Sequence, residues 1–227
     1  MNDKYNDFAQ GRIILINKPL YWTSFDVVRK IRYLTKTKKV GHAGTLDPLA
    51  TGLLIICTGA YTKRINEFMA QEKEYTGTIT LGATTPTFDL ESEPQNFKPI
   101  ENLTDEKLQL AARSLTGSIM QIPPVHSAIK KDGKPVYQLA RRGIDVKLEP
   151  RPVTIHEFLI EKVDLPLVHF KVVCSTGTYI RSLANDFGKI LSCGGYLSSL
   201  CRTRIGPFLN SDAKTIEQFE KEITHIT

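Results

Sequence analysis

The sequence predicts an α+β fold on a mixed, mostly antiparallel sheet flanked by helices and loops. Three observations carry this expectation. Short apolar runs bounded by Gly, Pro or Lys recur along the chain, as buried strands do. Segments with apolar residues at helical spacing lie between them. Val168, Phe170, Val172 and Cys174 alternate with His169, Lys171 and Val173, the period of a strand with one wet face. The 227 residues are 41% hydrophobic, which suffices for one large core or two modest domains. No repeat, low-complexity tract or linker interrupts them, so residues 1–227 read as one domain with about seven or eight strands.

Taken in order, RIILIN (Arg12 to Asn17) reads as a buried strand ending at Lys18-Pro19. Lys18 there is a phosphate ligand or a solvated strand end. Thr23 or Ser24 caps a helix whose inward positions are Phe25, Val28, Ile31 and Leu34. Its other face carries the basic run Arg29, Lys30, Arg32, Lys36, Lys38 and Lys39, and Trp22 before the cap reads as a packing anchor. LLIICTG is a strand closed by Gly59, and a helix follows from about Thr62 to Ala70. Lys73 to Leu81 has strand period, with Tyr75, Ile79 and Leu81 on one face; Tyr75 is a core aromatic or a ring at the edge of a site.

Thr84 to Pro99 reads as a loop with three prolines and several acids. Thr104 caps a helix that Gly117 stops. Ile122 to Gly143 reads as an ordered but mobile excursion carrying Lys130, Lys131, Lys134, Arg141 and Arg142. Val153 to Val163 and Val168 to Cys174 are strands. STGTYIRSLANDFGKIL starts a helix with Arg181 in its early turns, where the helix dipole favours acids. Arg181 therefore sits at the surface or points back at a carboxylate. Gly194 to Phe208 reads as a strand, and a short helix spans roughly Thr215 to Glu222.

A net charge of +6 suits a polyanion partner. Either basic cluster alone is equally a solvated helix face. The four cysteines form no C-x-x-C pair and no zinc spacing, so a reducing compartment is expected. The polar amino terminus has no signal-peptide core, and the longest uncharged run, Pro48 to Thr62, is too short and Gly-rich to span a bilayer. These features predict a soluble cytoplasmic protein that makes no use of membrane.

The chain is organised around GHAGTLDPLATGLL (Gly41 to Leu54). It holds one carboxylate, Asp47, one histidine, His42, and three glycines, with no Lys or Arg. Asp47 before Pro can simply open a turn. It can also serve as a nucleophile if a cation keeps it ionised. No dinucleotide fingerprint, Walker lysine, hydrolase triad or zinc signature accompanies it, and no partner acid marks a glycosidase pair.

This segment resembles the central motif of the TruB family of tRNA pseudouridine synthases. So do KPLYWTS (Lys18 to Ser24), KEYTGTITLG (Lys73 to Gly82), QIPPVHSAIK (Gln121 to Lys130) and CSTGTYIRSLANDFG (Cys174 to Gly188), in the family's order. The resemblance implies a pseudouridine synthase fold acting on the TΨC-loop uridine of tRNA, position 55 by convention. It makes Asp47 the catalytic aspartate, Tyr75 the active-site tyrosine and Arg181 the arginine that pairs with Asp47. Tyr179 and Leu200 would line the uracil pocket, His42 would meet flipped-out nucleotides, and Lys18 with Pro19 would support the site. It implies no cofactor, no metal and no obligate protein partner. The excursion around residues 122–143 becomes an RNA clamp, with its basic residues on phosphates.

Three features depart from the family. Tyr21 takes the Gly position of the K-P-x-G turn, which leaves that backbone open. His126 stands where a tyrosine is common. The sequence ends some twenty residues after Phe208, so the carboxy-terminal PUA domain of many members is not expected here. Two other readings remain: an RNA-binding module that has lost chemistry, and a synthase acting on ribosomal RNA. If the clamp meets phosphate, replacing Lys130, Lys131 and Lys134 by Gln will weaken RNA binding and flatten the slope of log K against log salt by about two to three. An unaltered slope in a filter-binding titration would remove these lysines from the interface.

Overall fold

The computed structural model describes residues 3–125, 130–131, 134–135 and 148–225. In chain order the elements are α1 (Asp3–Gln10), β1 (Ile13–Lys18), α2 (Ser24–Thr35), β2 (Val40–His42), β3 (Ala50–Thr58), α3 (Ile65–Met69), β4 (Lys73–Leu81), α4 (Asp105–Ser114), β5 (Gly117–Gln121), β6 (Lys130–Lys131), β7 (Lys134–Pro135), β8 (Arg151–Asp164), β9 (Leu167–Cys174), α5 (Ile180–Ile190), β10 (Gly195–Ile205), β11 (Phe208–Leu209) and α6 (Ile216–His225). The α+β class is as expected. The described strands outnumber the seven or eight anticipated because β2, β5, β6, β7 and β11 are five residues or fewer. Such pieces carry too few alternations to stand out. The chain forms two units, Met1–Thr76 with Leu200–Thr227, and Gly77–Ser199.

In the first unit β3 pairs antiparallel with β1, from Ile13↔Cys57 to Lys18↔Gly52. The middle of β10 runs parallel to the start of β3, Leu200↔Ala50 and Arg202↔Gly52. β3 is buried on both faces, which explains its unbroken apolar sequence. Leu54 and Ile56 meet Val27, Val28, Ile31 and Leu34 of α2, together with Phe8 of α1 and Phe219 of α6. Leu53, Ile55 and Cys57 meet Phe68 and Ile205 on the opposite face. Each large aliphatic side chain buried this way contributes roughly 1.5–3 kcal/mol.

α2 begins with a capping box. The Thr23 hydroxyl accepts from the Asp26 amide, and the Asp26 carboxylate accepts from the Thr23 amide. Such a cap contributes about 1 kcal/mol. One expected core position is corrected here: Phe25 is 57% exposed. It lies roughly a third of a turn from the centre of the buried stripe, which Val27 opens instead. The polar amino terminus, for which no element was expected, forms α1.

In the second unit β8 pairs antiparallel with β9 and with β5. β9 follows the expected alternation except at Val173, which is buried, not wet. Gly117 opens β5 with a φ of 99°; α4 has already ended at Ser114. β6 and β7 pair as a short ribbon, Lys130↔Pro135 and Lys131↔Lys134. His126, Arg141 and Arg142 lie outside the described residues. Among the described residues no helix is long and apolar enough to cross a membrane.

Gly52 is the tightest point beside the organising loop. Its φ is 99°, and a Cβ there would lie 2.4 Å from the Arg202 carbonyl oxygen and 2.6 Å from the Arg202 nitrogen. Both obstacles are backbone. Gly52→Ala is therefore expected to lower stability by roughly 2–4 kcal/mol in urea unfolding. A loss below 0.5 kcal/mol would show that the β3–β10 approach is looser than described here.

Candidate active site

In the first unit the sequence Ala43 to Leu49 leaves β2 and turns into β3, with Asp47 half-buried at its bend. The Ala50 amide donates to the Asp47 carbonyl over 3.0 Å, so the turn-opening tendency of Asp-Pro is realised. The rest of the loop is held by side chains from other elements. Ser24, the first residue of α2, donates its hydroxyl to the Leu46 carbonyl at 3.2 Å and accepts from the Leu46 amide at 2.8 Å. Arg202, 1% exposed, donates to the carbonyls of Leu53 at 2.8 Å, Gly44 at 3.1 Å and Thr45 at 3.5 Å.

Lys18 is fully buried, which corrects the solvated-strand-end reading. Its ammonium donates to the carbonyls of Trp22 at 2.6 Å, Pro19 at 2.9 Å and Pro48 at 3.5 Å. Burial pulls its pKa down from 10.5 to about 8; the Asp47 carboxylate pulls upward, and Arg202 adds to the fall. It is thus still charged at neutral pH. Lys18, Gly52 and Arg202 occupy one row across β1, β3 and β10. Two cations from neighbouring strands therefore hold the loop carbonyls on either side of Asp47.

The Tyr21 amide donates to the Pro48 carbonyl at 2.8 Å, with Tyr21 at φ 66°. This left-handed backbone is open to glycine and costs a residue with a Cβ roughly 1–2 kcal/mol. The departure at this turn is therefore met by strain in the tyrosine. His42, half-buried at the end of β2, is held below its usual 6.5, first by burial and then by the Arg202 guanidinium. Tyr75 is buried on β4, and Leu200 sits half-buried on β10 in register with Ala50.

The second unit positions the other two residues. Gln121, 1% exposed at the end of β5, uses both ends of its amide on the Tyr179 backbone. It accepts from the Tyr179 amide at 2.8 Å and donates to its carbonyl at 3.1 Å. Arg181 is buried in the first turn of α5. Its Nε lies 3.5 Å from an Asp89 carboxylate oxygen, and Nη1 donates to the Thr87 carbonyl at 3.3 Å. An arginine at a helix start is thereby explained by a carboxylate, as the sequence allowed. Asp89, Gln121 and Arg202 were missed by the sequence reading. Asp89 hides among surface-like acids, and Arg202 sits in a mixed strand beside Ser198, Ser199, Thr203 and Arg204, where nothing marks it from Arg204. Gln121 opens a recognised motif without obvious chemistry.

Lys18, His42, Asp47, Tyr75 and Leu200 thus belong to the first unit, and Tyr179 and Arg181 to the second. Residues 32–180 match the family model described as TruB family pseudouridylate synthase, N-terminal domain, and residues 181–226 match the tRNA pseudouridylate synthase B C-terminal domain. A chain from the crystal structure of a Cbf5–Nop10–Gar1 complex superposes with a TM-score of 0.74 at 26% identity. That alignment covers 94% of this chain and 54% of the other. The fold is that of the pseudouridine synthases.

Curated relatives narrow this further. A protein named tRNA pseudouridine synthase B from Flavobacterium johnsoniae is 49% identical, covering 96% of this chain and 98% of its own. One of the same name from Parabacteroides distasonis is 52% identical, covering 88% of each. The chain belongs to the TruB family of pseudouridylate synthases.

The buried Lys18 gives the site a signature in stability. Its native pKa of about 8 lies below the unfolded value of 10.5, so the unfolded chain binds the proton more tightly between them. Stability contributed by this group therefore rises as pH rises through that window. The stability of the wild type minus that of Lys18→Met is expected to increase between pH 8 and 10.5 in urea unfolding. A flat difference would show that the ammonium is not desolvated.

Proposed function

We propose that this enzyme isomerises the TΨC-loop uridine of tRNA, position 55, with Asp47 as the reacting carboxylate. Its relatives carry the name tRNA pseudouridine synthase B, and the family converts uridine to pseudouridine in tRNA. The observation that supports the assignment to Asp47 is its turn, where Lys18 and Arg202 hold the flanking carbonyls and the Lys18 ammonium attracts the carboxylate.

Isomerisation breaks the bond from the sugar to nitrogen 1, turns the uracil, and joins the sugar to carbon 5; carbon 5 gives up its proton and nitrogen 1 takes one up. An ionised carboxylate can serve this by attacking the base or the sugar, or by taking a sugar proton. The uridine must first leave its stack, which costs a few kcal/mol and least in a loop. Tyr75 and His42 offer rings against the everted nucleotides, and Tyr75 is a candidate for the proton transfer at carbon 5. Tyr179 and Leu200 complete the uracil pocket in this reading. Arg181 keeps Asp47 ionised, the role that the motif resemblance gives it.

Lys130, Lys131, Lys134, Arg141 and Arg142 take phosphates, positioning the RNA without reading its sequence. The reaction is redox-neutral and intramolecular, and the reading needs neither cofactor nor partner protein. A reducing cytoplasm suits the buried thiols of Cys57, Cys174 and Cys193.

Asp47→Asn keeps the side chain's shape and removes its charge. It is expected to lower pseudouridine formation by on the order of 10⁴-fold or more while RNA affinity changes little. Tritium release from uracil-labelled tRNA measures the first and filter binding the second. Substantial turnover in this variant would refute the role of Asp47.

A further inference from the structure

The strained turn before α2 presents more than a backbone contact. Tyr21 is 74% exposed, and one turn further Phe25 is 57% exposed. The Arg29 guanidinium lies 5.9 Å from the Phe25 ring centre and pairs with Asp26. A surface pocket of about 410 Å³ is lined by Tyr21, Trp22, Asp26 and Arg29. That volume lies in the range of small-ligand sites and admits a nucleobase with its sugar. Glycine would take the Tyr21 backbone without strain, so an aromatic ring is kept there against a conformational cost.

The location gives the ring an occupant. The Tyr21 amide bonds the carbonyl of Pro48, the residue after Asp47, so the ledge and the reacting carboxylate share one turn-to-turn contact. Exposed rings beside a guanidinium suit an unpaired base, whose face stacks whatever its identity. Asp26 and Arg29 supply an acceptor and donors at the pocket wall for a base edge. The exposed Arg29 gives this flank a cation that a neighbouring phosphate can meet.

We propose that Tyr21 and Phe25 form a stacking ledge for an unpaired base of the substrate RNA next to the uridine taken by Asp47, with the Asp26–Arg29 pair at its edge. This rests on the RNA-isomerase reading above. It adds a subsite that favours RNAs with an unpaired base beside the target uridine.

Trp22 is the single tryptophan of the chain and lines the pocket, so its fluorescence reports on the ledge. Tyr21→Gly removes the ring and relieves the backbone; Tyr21→Asn also tolerates the left-handed turn, and Tyr21→Phe keeps the ring. Binding of a labelled unmodified tRNA transcript is followed by anisotropy and, in parallel, by tryptophan quenching. The Gly and Asn variants are expected to bind about tenfold more weakly, by a ratio independent of salt, with diminished quenching. Their kcat at saturating RNA should stay within about twofold of wild type, and Tyr21→Phe should match wild type. Wild-type affinity and quenching in the Gly and Asn variants would overturn the ledge. A wild-type protein that binds the transcript without forming pseudouridine would instead overturn the isomerase reading.

Discussion

The structure depends on two buried cations that hold one turn by its backbone. Lys18 and Arg202 sit in neighbouring strands on either side of Gly52, and their donors end on the carbonyls of Pro48, Gly44 and Thr45. Burying a charge is costly unless hydrogen bonds and an opposite charge compensate it. Here carbonyl dipoles supply part of that compensation, and the Asp47 carboxylate attracts Lys18. The same arrangement holds the turn that carries Asp47. Gly52 is required because any Cβ would strike the Arg202 backbone and part the strands that bring the cations together.

The second unit uses the same device with different residues. A buried glutamine amide fixes the backbone of Tyr179, and a buried carboxylate fixes Arg181. Most of the residues proposed to carry chemistry stand on strands; Asp47 stands on a turn and Arg181 at a helix start, and buried polar side chains from regular elements hold that turn and that helix start. Losing one partner of such a buried pair leaves the other uncompensated, which typically costs about 3–5 kcal/mol.

Long periodic segments were legible in the sequence. β1, β3, β4, β8, β9, α2 and α5 follow from apolar runs and alternation, and Thr23 and Thr104 act as the caps their chemistry indicates. What escaped has physical causes. Short strands offer too few residues for a period. Phe25 matched a helical spacing without lying on the buried stripe, because spacing from one partner does not fix the whole face. Asp89 is an acid in a proline-rich loop, and only the folded loop turns it inward to Arg181. Asp47 stood out through its glycine-lined motif, but the cations that grip its turn lie far away in sequence. For Lys18 the residues offer a phosphate ligand or a solvated strand end and the resemblance a support of the site; the folded chain turns its ammonium onto carbonyls, which excludes the solvated end.

The gripped turn that carries Asp47 is the feature on which the proposed action on an everted uridine in RNA rests. The most direct measurement is nucleotide-resolution mapping of pseudouridine in unmodified tRNA transcripts incubated with the purified protein. The account predicts a single new pseudouridine at position 55 in the TΨC loop. Pseudouridine confined to other positions, or none in tRNA while a ribosomal RNA hairpin is modified, would contradict it.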